Sequence, residues 1–152
     1  SRRMNDASPN WRIVGSTNDG ISTFPFDQPG VYWLESQYKN SLELYDQLRK
    51  DEEDPHVQDA LDCLDGAYRL YGPEHVIGSY NGGKDAVAIL HLMRAAHAHY
   101  YFQKKNNNQR YYLRPRVVYF DHPDEFPEVI QLLQDTVVKY DLDMMQFNTS
   151  FR

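Results

Sequence analysis

The sequence has little of what marks secreted, membrane-spanning or nucleic-acid-binding proteins. Its 152 residues contain one cysteine, Cys63, so no disulfide can form within the chain and a cysteine-rich zinc site is excluded. No run approaches the ~20 apolar residues that cross a membrane, and a net charge of −6 disfavours nucleic acid as a partner. We expect one domain in a reducing compartment, the cytoplasm. The sequence leaves an organelle open, because it begins with Ser1 rather than Met.

The chain divides into a part without a steady hydrophobic period and a part in which helices and strands alternate. Residues 1–34 mix polar residues with scattered aromatics, which predicts an irregular arm. Apolar spacings of three or four then predict two helices, over 35–50 and 56–71. The following pattern predicts strand, helix, strand, helix and strand over residues 76–80, 84–102, 116–121, 125–140 and 142–147. The arginines at 110–116 and their polar surroundings predict a solvated loop.

This order of elements predicts an α/β fold with a parallel sheet and right-handed crossovers. We expect a three-layer α/β/α domain over residues 35–152, with two helices at its start. Three strands are few for a parallel sheet, which needs both of its faces covered. We therefore expect the domain to be incomplete at its C-terminal end.

The most informative segment is a glycine pair between a predicted strand and a predicted helix. Residues 79–85 read Ser-Tyr-Asn-Gly-Gly-Lys-Asp. Gly82 and Gly83 permit positive φ, so backbone N–H groups can face an anion, and the start of the helix adds free N–H groups. The spacing also matches the ATPase loop G-x-x-x-x-G-K-[ST], but Asp85 stands where that loop has a hydroxyl. The pattern predicts a phosphate cradle; a turn without ligand is the alternative.

The polar residues of this loop each have a ligand-binding role and a structural alternative. Ser79 would donate to a phosphate or pack at the strand end, and Asn81 would orient a phosphate or shape the turn. Lys84 would meet a phosphate through its ammonium group or point into solvent. Asp85 would place Mg²⁺ directly or through water, or act only as a favourable carboxylate in the first helical turn.

The loop resembles the pyrophosphate loop, S-x-G-G-K-D, of enzymes that split ATP between its α and β phosphates. With its asparagine it is similar to S-[FY]-N-G-G-K-D of eukaryotic FAD synthases, FMN adenylyltransferases of the PAPS reductase-like superfamily. The resemblance implies the fold of the adenine-nucleotide alpha-hydrolases, ATP and FMN as substrates, and Mg²⁺ held by Asp85. It implies a nucleotidyltransferase that moves AMP from ATP to FMN and releases pyrophosphate. Asn81, Lys84 and Asp85 would be catalytic, and Ser79, Tyr80, Gly82 and Gly83 would also bind the nucleotide.

A second turn carries the same resemblance. Residues 120–126 read Phe-Asp-His-Pro-Asp-Glu-Phe and are similar to the corresponding turn of fungal-type FAD synthases. Ligands of open α/β sheets lie beyond the carboxyl ends of strands, and in this superfamily the turn flanks adenosine. The resemblance therefore implies that Phe120, Asp121 and His122 bind nucleotide, although Asp121 could instead cap the next helix. The other histidines nearby, among them His97, are expected to be packing or surface residues.

Two departures from the family pattern keep other functions open. Ala86 replaces the usual Ser or Cys, whose hydrogen bond to phosphate would be worth about 1 kcal/mol. The family's later G-x-R-x-x-D-P stretch and Trp-rich tail are absent, so the sequence resembles an N-terminal fragment. The alternatives are a non-catalytic nucleotide-binding module and a PAPS or APS reductase-like enzyme, which needs a nucleophilic cysteine. The oligomeric state is not predicted.

Overall fold

A computed structural model describes residues 11–16, 32–104, 112–121 and 124–148 of the chain. These residues form a sheet with the strand order β1-β4-β3-β2, in which every neighbouring pair is parallel. The strands are β1 (Trp11–Ser16), β2 (Ile77–Ser79), β3 (Arg116–Asp121) and β4 (Asp143–Asn148). The helices are α1 (Glu35–Asp51), α2 (Pro55–Tyr71), α3 (Lys84–Gln103) and α4 (Pro127–Lys139). The α/β fold and the order of elements from residue 35 onward are confirmed.

The expectation of an irregular arm is wrong for residues 11–16. They form an edge strand along β4, with Trp11 opposite Met144, and so give the sheet four strands rather than three. The Trp11 ring packs against Tyr119 with centroids 5.9 Å apart, and its N–H donates to Oε1 of Gln146 at 2.7 Å. These partners lie more than a hundred residues away in sequence, so no local pattern announces the strand. The rest of the arm up to residue 31 lies outside the described residues.

Helices α1 and α2 both pack against α3. Pro55 opens α2 as the sequence predicts, because the missing proline N–H leaves no donor unsatisfied at that position. The Asp54 carboxylate caps the helix by accepting from the N–H of His56 at 2.9 Å. Tyr45 of α1, Leu61 of α2 and Ala95 of α3 are buried together where the helices meet. None of the described helices combines the length and apolar character that a membrane span requires.

The main core lies between one face of the sheet and helices α3 and α4. Right-handed crossovers from β2 to β3 and from β3 to β4 bring both helices to the same face. Val117 and Tyr119 of β3 are buried there with Met144 of β4. The helices cover them with apolar side chains that include Leu90, Met93, Leu133 and Val137. This packing fixes where α3 begins, and therefore where the glycine loop stands.

Two buried ion pairs join the amino ends of β3 and β4. Arg114 lies 3.1 Å from Asp141, and Arg116 lies 3.4 Å from Asp143, with all four side chains almost wholly buried. The expectation of a solvated loop is therefore wrong for these two arginines. A buried charge must be paired to be tolerated. Asp141 comes from the turn before β4, and Asp143 is the first residue of that strand. Asp141, in the left-handed region with φ of 55°, also accepts from the Leu34 N–H at 2.7 Å.

Candidate functional site: the glycine loop at the carboxyl edge of the sheet

The glycine loop connects β2 to α3 in a tight turn. Gly82 has φ of 80°, a conformation that residues with a Cβ rarely adopt. Gly78, in the strand below, lies so close to α3 that an added Cβ would stand 2.8 Å from the Met93 sulfur. The side-chain oxygen of Asn81 accepts from the Gly83 N–H at 2.9 Å, which closes the turn. Asn81 therefore shapes the turn, one of the two roles that the sequence leaves open.

A cleft opens between this loop and the end of β3. Its volume is about 330 Å³. Because Ser79 of β2 lies beside Val118 of β3 in parallel register, the two strands end at the same edge. The lining residues come from both ends: Ser79, Tyr80, Asn81, Gly83, Tyr119, Phe120 and Glu125. The glycine loop and the turn after β3 thus share one concave site, as expected for an open α/β sheet.

Two residues that line the cleft, Tyr119 and Glu125, are not predicted by the sequence analysis. The Tyr119 hydroxyl donates to Oε2 of Glu125 at 3.1 Å. Burial, followed by this hydrogen bond, raises the pKa of Tyr119 well above its ordinary value. The hydrogen bond from the phenol holds the carboxylate of Glu125 in place. The sequence feature that could have identified Glu125 is its position in the turn before a predicted helix.

The structure brings together some of the predicted site residues and separates others. Tyr80 lines the cleft, but its ring is buried and its hydroxyl donates to Oγ1 of Thr136 on α4 at 3.3 Å. Lys84 and Asp85 are exposed in the first turn of α3, beside the cleft rather than among its lining residues. Asp121 is half-buried and does not line it, and His122 lies outside the described residues. Ser79, Asn81, Gly83 and Phe120 all face the cleft.

The acidic residues fit magnesium only together with a nucleotide. Among the described parts of the chain, no three His, Cys, Asp or Glu side chains come together as a metal-binding group. Magnesium is commonly held by one or two carboxylates, with phosphate oxygens and water completing its shell. Asp85, exposed at the end of the glycine loop, offers one such carboxylate. The donor set therefore suits a magnesium ion that arrives with bound phosphates.

Comparison with known proteins identifies the family. Residues 75–150 match the phosphoadenosine phosphosulfate reductase domain. The match spans half of the 152 residues and contains both the glycine loop and the turn after β3. The chain belongs to this family.

Solved structures similar to this chain have the same fold. Candida glabrata FMN adenylyltransferase in complex with FAD and inorganic pyrophosphate aligns with a TM-score of 0.61 at 20% identity, over 80% of this chain and 48% of that one. The same enzyme with FMN and the ATP analogue AMPCPP gives 0.60 at 21%, over 80% and 44%. Yeast FAD synthetase in complex with FAD gives 0.59 at 20%, over 78% and 45%. The chain thus spans less than half the length of these structures, and the likeness shows the fold.

Proposed function

We propose that this chain is the nucleotide-binding part of an FAD synthase, which transfers AMP from ATP to FMN. The observation that carries the proposal is the build of the Ser-Tyr-Asn-Gly-Gly-Lys-Asp loop. It joins a strand to a helix, places Gly82 at φ of 80°, and borders a cleft of about 330 Å³. Support comes from the shared fold of FMN adenylyltransferases crystallised with FMN, FAD and an ATP analogue.

The reaction needs alignment and neutralisation of charge more than proton transfer. An oxygen of the FMN phosphate attacks the α-phosphorus of ATP, and the bond from that phosphorus to the bridging oxygen of the β-phosphate breaks. The bonding electrons leave with pyrophosphate, and the new phosphoanhydride is that of FAD. Since the nucleophile is already an anion, no general base is required, and binding geometry does most of the work.

The loop would hold the pyrophosphate that leaves. The N–H groups of Gly82, Gly83 and Lys84 lie at the start of α3, where the helix dipole favours an anion. The Gly83 N–H now donates to Asn81, so a phosphate oxygen must share this donor or displace the amide. Ser79 lines the same cleft and would donate to a phosphate.

Charge on the phosphates would be balanced from the first turn of α3. The Lys84 ammonium group is exposed and free to reach a phosphate oxygen. Asp85 would hold Mg²⁺, which neutralises phosphate charge when it is bound with ATP. Asp121 and His122 belong to the nucleotide site in this proposal, on the strength of the sequence resemblance. A cytoplasmic location, which rests on the single Cys63, is part of the same proposal.

Ala86, which departs from the family pattern, bears on a second candidate, a nucleotide-binding module without turnover. Ala86 is half-buried against the main core, so a hydroxyl at this position would face apolar side chains as much as phosphate. The departure therefore counts less against catalysis than the sequence suggests. The Asn81 amide, which occupies a donor of the cradle, bears equally on both candidates, because both must bind phosphate there. The reductase alternative needs a nucleophilic cysteine, and Cys63 does not supply it here, because it is exposed on α2 and does not line the cleft.

Calorimetric titration with ATP, with and without Mg²⁺, together with chromatographic detection of FAD formed from FMN, tests the proposal. Asp85→Asn should abolish the magnesium-dependent part of ATP binding and any turnover. Gly83→Val should block binding while the fold persists, because an added Cβ already stands 3.0 Å from the Asn81 side-chain oxygen. Asp59→Asn, at an exposed position of α2, is the matched control and should behave as wild type.

The outcomes separate the candidates. ATP binding with FAD formation supports the synthase. ATP binding without FAD formation supports the module once the chain tested has been shown to be complete. Unchanged titrations of the Asp85→Asn variant would remove this carboxylate from the site. Normal ATP affinity in the Gly83→Val variant would refute the interpretation of the glycine loop as a phosphate cradle.

A further inference from the structure

A groove runs along the contact between α1 and α3, outside the glycine-loop cleft. Its volume is about 400 Å³, and it shares no described lining residue with that cleft. Five apolar side chains from three helices line it: Leu44, Leu48, Val57, Ala88 and Leu92. His91 and Arg94 of α3 are its polar lining residues in the described part of the chain. The groove therefore combines apolar walls with polar groups from a single helix.

Arg94 is only 7% exposed, yet it has no acidic partner among the described residues. Its Nε donates to Nδ1 of His91 at 3.1 Å. Its Nη1 donates to Oδ1 of Asn40 at 3.0 Å and to Oγ of Ser41 at 2.9 Å. The centroid of the Tyr140 ring lies 4.7 Å from the guanidinium carbon, within the range of a cation–π contact. None of these four partners is a carboxylate.

This distinguishes Arg94 from the other two buried arginines. Arg114 and Arg116 each pair with a carboxylate, at 3.1 and 3.4 Å. A buried charge is tolerated when it is paired and hydrogen-bonded. A guanidinium has five N–H donors, and the bonds of Arg94 to described residues use only Nε and Nη1. A carboxylate that enters the groove could accept from Nη2 and balance the charge.

The charges around the groove define the direction in which an acid would lie. Arg94 bonds to Ser41 of α1, whereas Leu48 lies about 10 Å further along that helix at 1.5 Å per residue. Residues 51–54, which separate Leu48 from Val57, are exposed acids. Negative charge is therefore favoured near Arg94 and disfavoured at the far end of the groove.

We propose that this groove binds an aliphatic monocarboxylate, with the carboxylate at Arg94 and the hydrocarbon chain along the apolar walls toward Leu48 and Val57. One carboxylate balances one guanidinium, whereas a phosphate dianion would bring excess charge into apolar surroundings. The volume lies in the range of small-molecule sites, and an acidic protein segment would bring further carboxylates to residues 51–54. The proposal goes beyond the proposed function and does not rest on it.

Calorimetric titration of the full chain with four ligands tests the proposal. Octanoate should bind about tenfold more tightly than octanol, because hydrogen bonds to charged groups are stronger than neutral ones. Octanedioate should bind more weakly than octanoate, since its second carboxylate meets the acidic end of the groove. Acetate, which lacks the hydrocarbon chain, should not bind detectably.

Two variants separate the contribution of the charge from that of the apolar walls. Arg94→Gln keeps an N–H donor for Ser41 but removes the charge, so octanoate should bind no more tightly than octanol. Ala88→Leu, at an exposed position of α3 in the groove, should weaken octanoate and octanol alike by about tenfold, because leucine occupies the space of the chain. Gln131→Leu, at an exposed position of α4, is its control and should change neither affinity. Leucine favours a helix, so Ala88→Leu tests the groove even where Arg94→Gln does not fold.

Other results would overturn the proposal in distinguishable ways. Wild-type protein that binds octanoate no better than octanol would remove Arg94 from the site, and unchanged octanoate affinity in Ala88→Leu would place the ligand elsewhere. Equal affinity for octanoate and octanedioate would refute the orientation of the ligand. Self-association of the wild type in analytical ultracentrifugation that Ala88→Leu abolishes would assign the groove to a second copy of the chain instead.

Discussion

Acidification from about pH 7.5 to about pH 4.5 should destabilise this protein through one buried histidine, His97. The side chain is fully buried, with the rings of Trp33, Tyr68 and Tyr101 packed around it at centroid distances of 5.1, 5.2 and 5.4 Å. Its Nε2 lies 2.7 Å from the Leu113 carbonyl oxygen and must donate to it. Nδ1 is then the unprotonated nitrogen, and it has no hydrogen-bond partner among the described residues.

The size of the effect follows from the pKa of His97. Burial lowers this pKa from 6.5 to about 4, so the folded state accepts only the neutral ring over most of the acidic range. The unfolded chain takes up its proton near pH 6.5, and stability is therefore full above that pH and falls as the pH drops toward 4. At 1.36 kcal/mol for each pKa unit, the full loss is about 3 kcal/mol. At about pH 4.5 the loss is about 2.5 kcal/mol.

Urea unfolding of the wild type and of His97→Gln, at both pH values, measures this loss. Glutamine can keep an N–H donor for the Leu113 carbonyl and does not titrate. The difference in the free energy of unfolding between the two proteins should shrink by about 2.5 kcal/mol on acidification. Titration of the carboxylates cancels, because both proteins contain them. His56→Gln, at an exposed position of α2, is the control. Parallel pH profiles for wild type and His97→Gln would refute the reasoning.

Further predictions concern the glycine loop and one glycine inside α2. Gly82→Ala should cost about 1–2 kcal/mol in the free energy of unfolding, because φ there is 80°. Gly66→Ala, inside α2 where a Cβ would meet only the end of Arg69 at 3.7 Å, should instead stabilise by up to about 1 kcal/mol. Asn81→Ala should weaken ATP about fivefold, since one hydrogen bond no longer holds the turn. Asn81→Asp should weaken ATP binding more than Asn81→Ala, because it places negative charge beside the phosphates. The reverse order of affinities by calorimetry would mean that Asn81 does not lie beside the phosphates.

The features that the sequence predicts correctly are those encoded over a few residues. Apolar side chains at helical spacing are enough to place α1 and α2, and Pro55 marks the first turn of α2. The glycine pair marks the change from strand to helix because only glycine readily takes the φ of 80° found at Gly82. The family resemblance rests on this segment and on the turn at residues 120–126, both of them local. Fold class and loop position could therefore be predicted without any knowledge of tertiary contacts.

The features that it misses depend on partners far along the chain. β1 is stabilised by its pairing with β4. The burial of Arg114 and Arg116 depends on their ion pairs with Asp141 and Asp143. A cluster of arginines in a polar segment ordinarily predicts a solvated loop. The partner of each arginine, Asp141 for Arg114 and Asp143 for Arg116, lies about 27 residues later in the sequence. Nothing in the arginine segment shows that these carboxylates lie opposite it.

The candidate site shows the same contrast. One side of the cleft is determined by local sequence and could be predicted, and the other side depends on contacts between distant strands. The glycine loop, the half proposed to hold phosphate, is set locally, because Asn81, Gly82 and Gly83 form its turn within three residues. The side of the cleft that carries Phe120 depends on the pairing of β3 with β4. Phe120 gains its orientation from Phe147, whose position depends on the register of the sheet. A substitution that shifts β4 should therefore alter the Phe120 side of the cleft while the loop still binds phosphate, so affinity for ATP and for tripolyphosphate should respond differently to it.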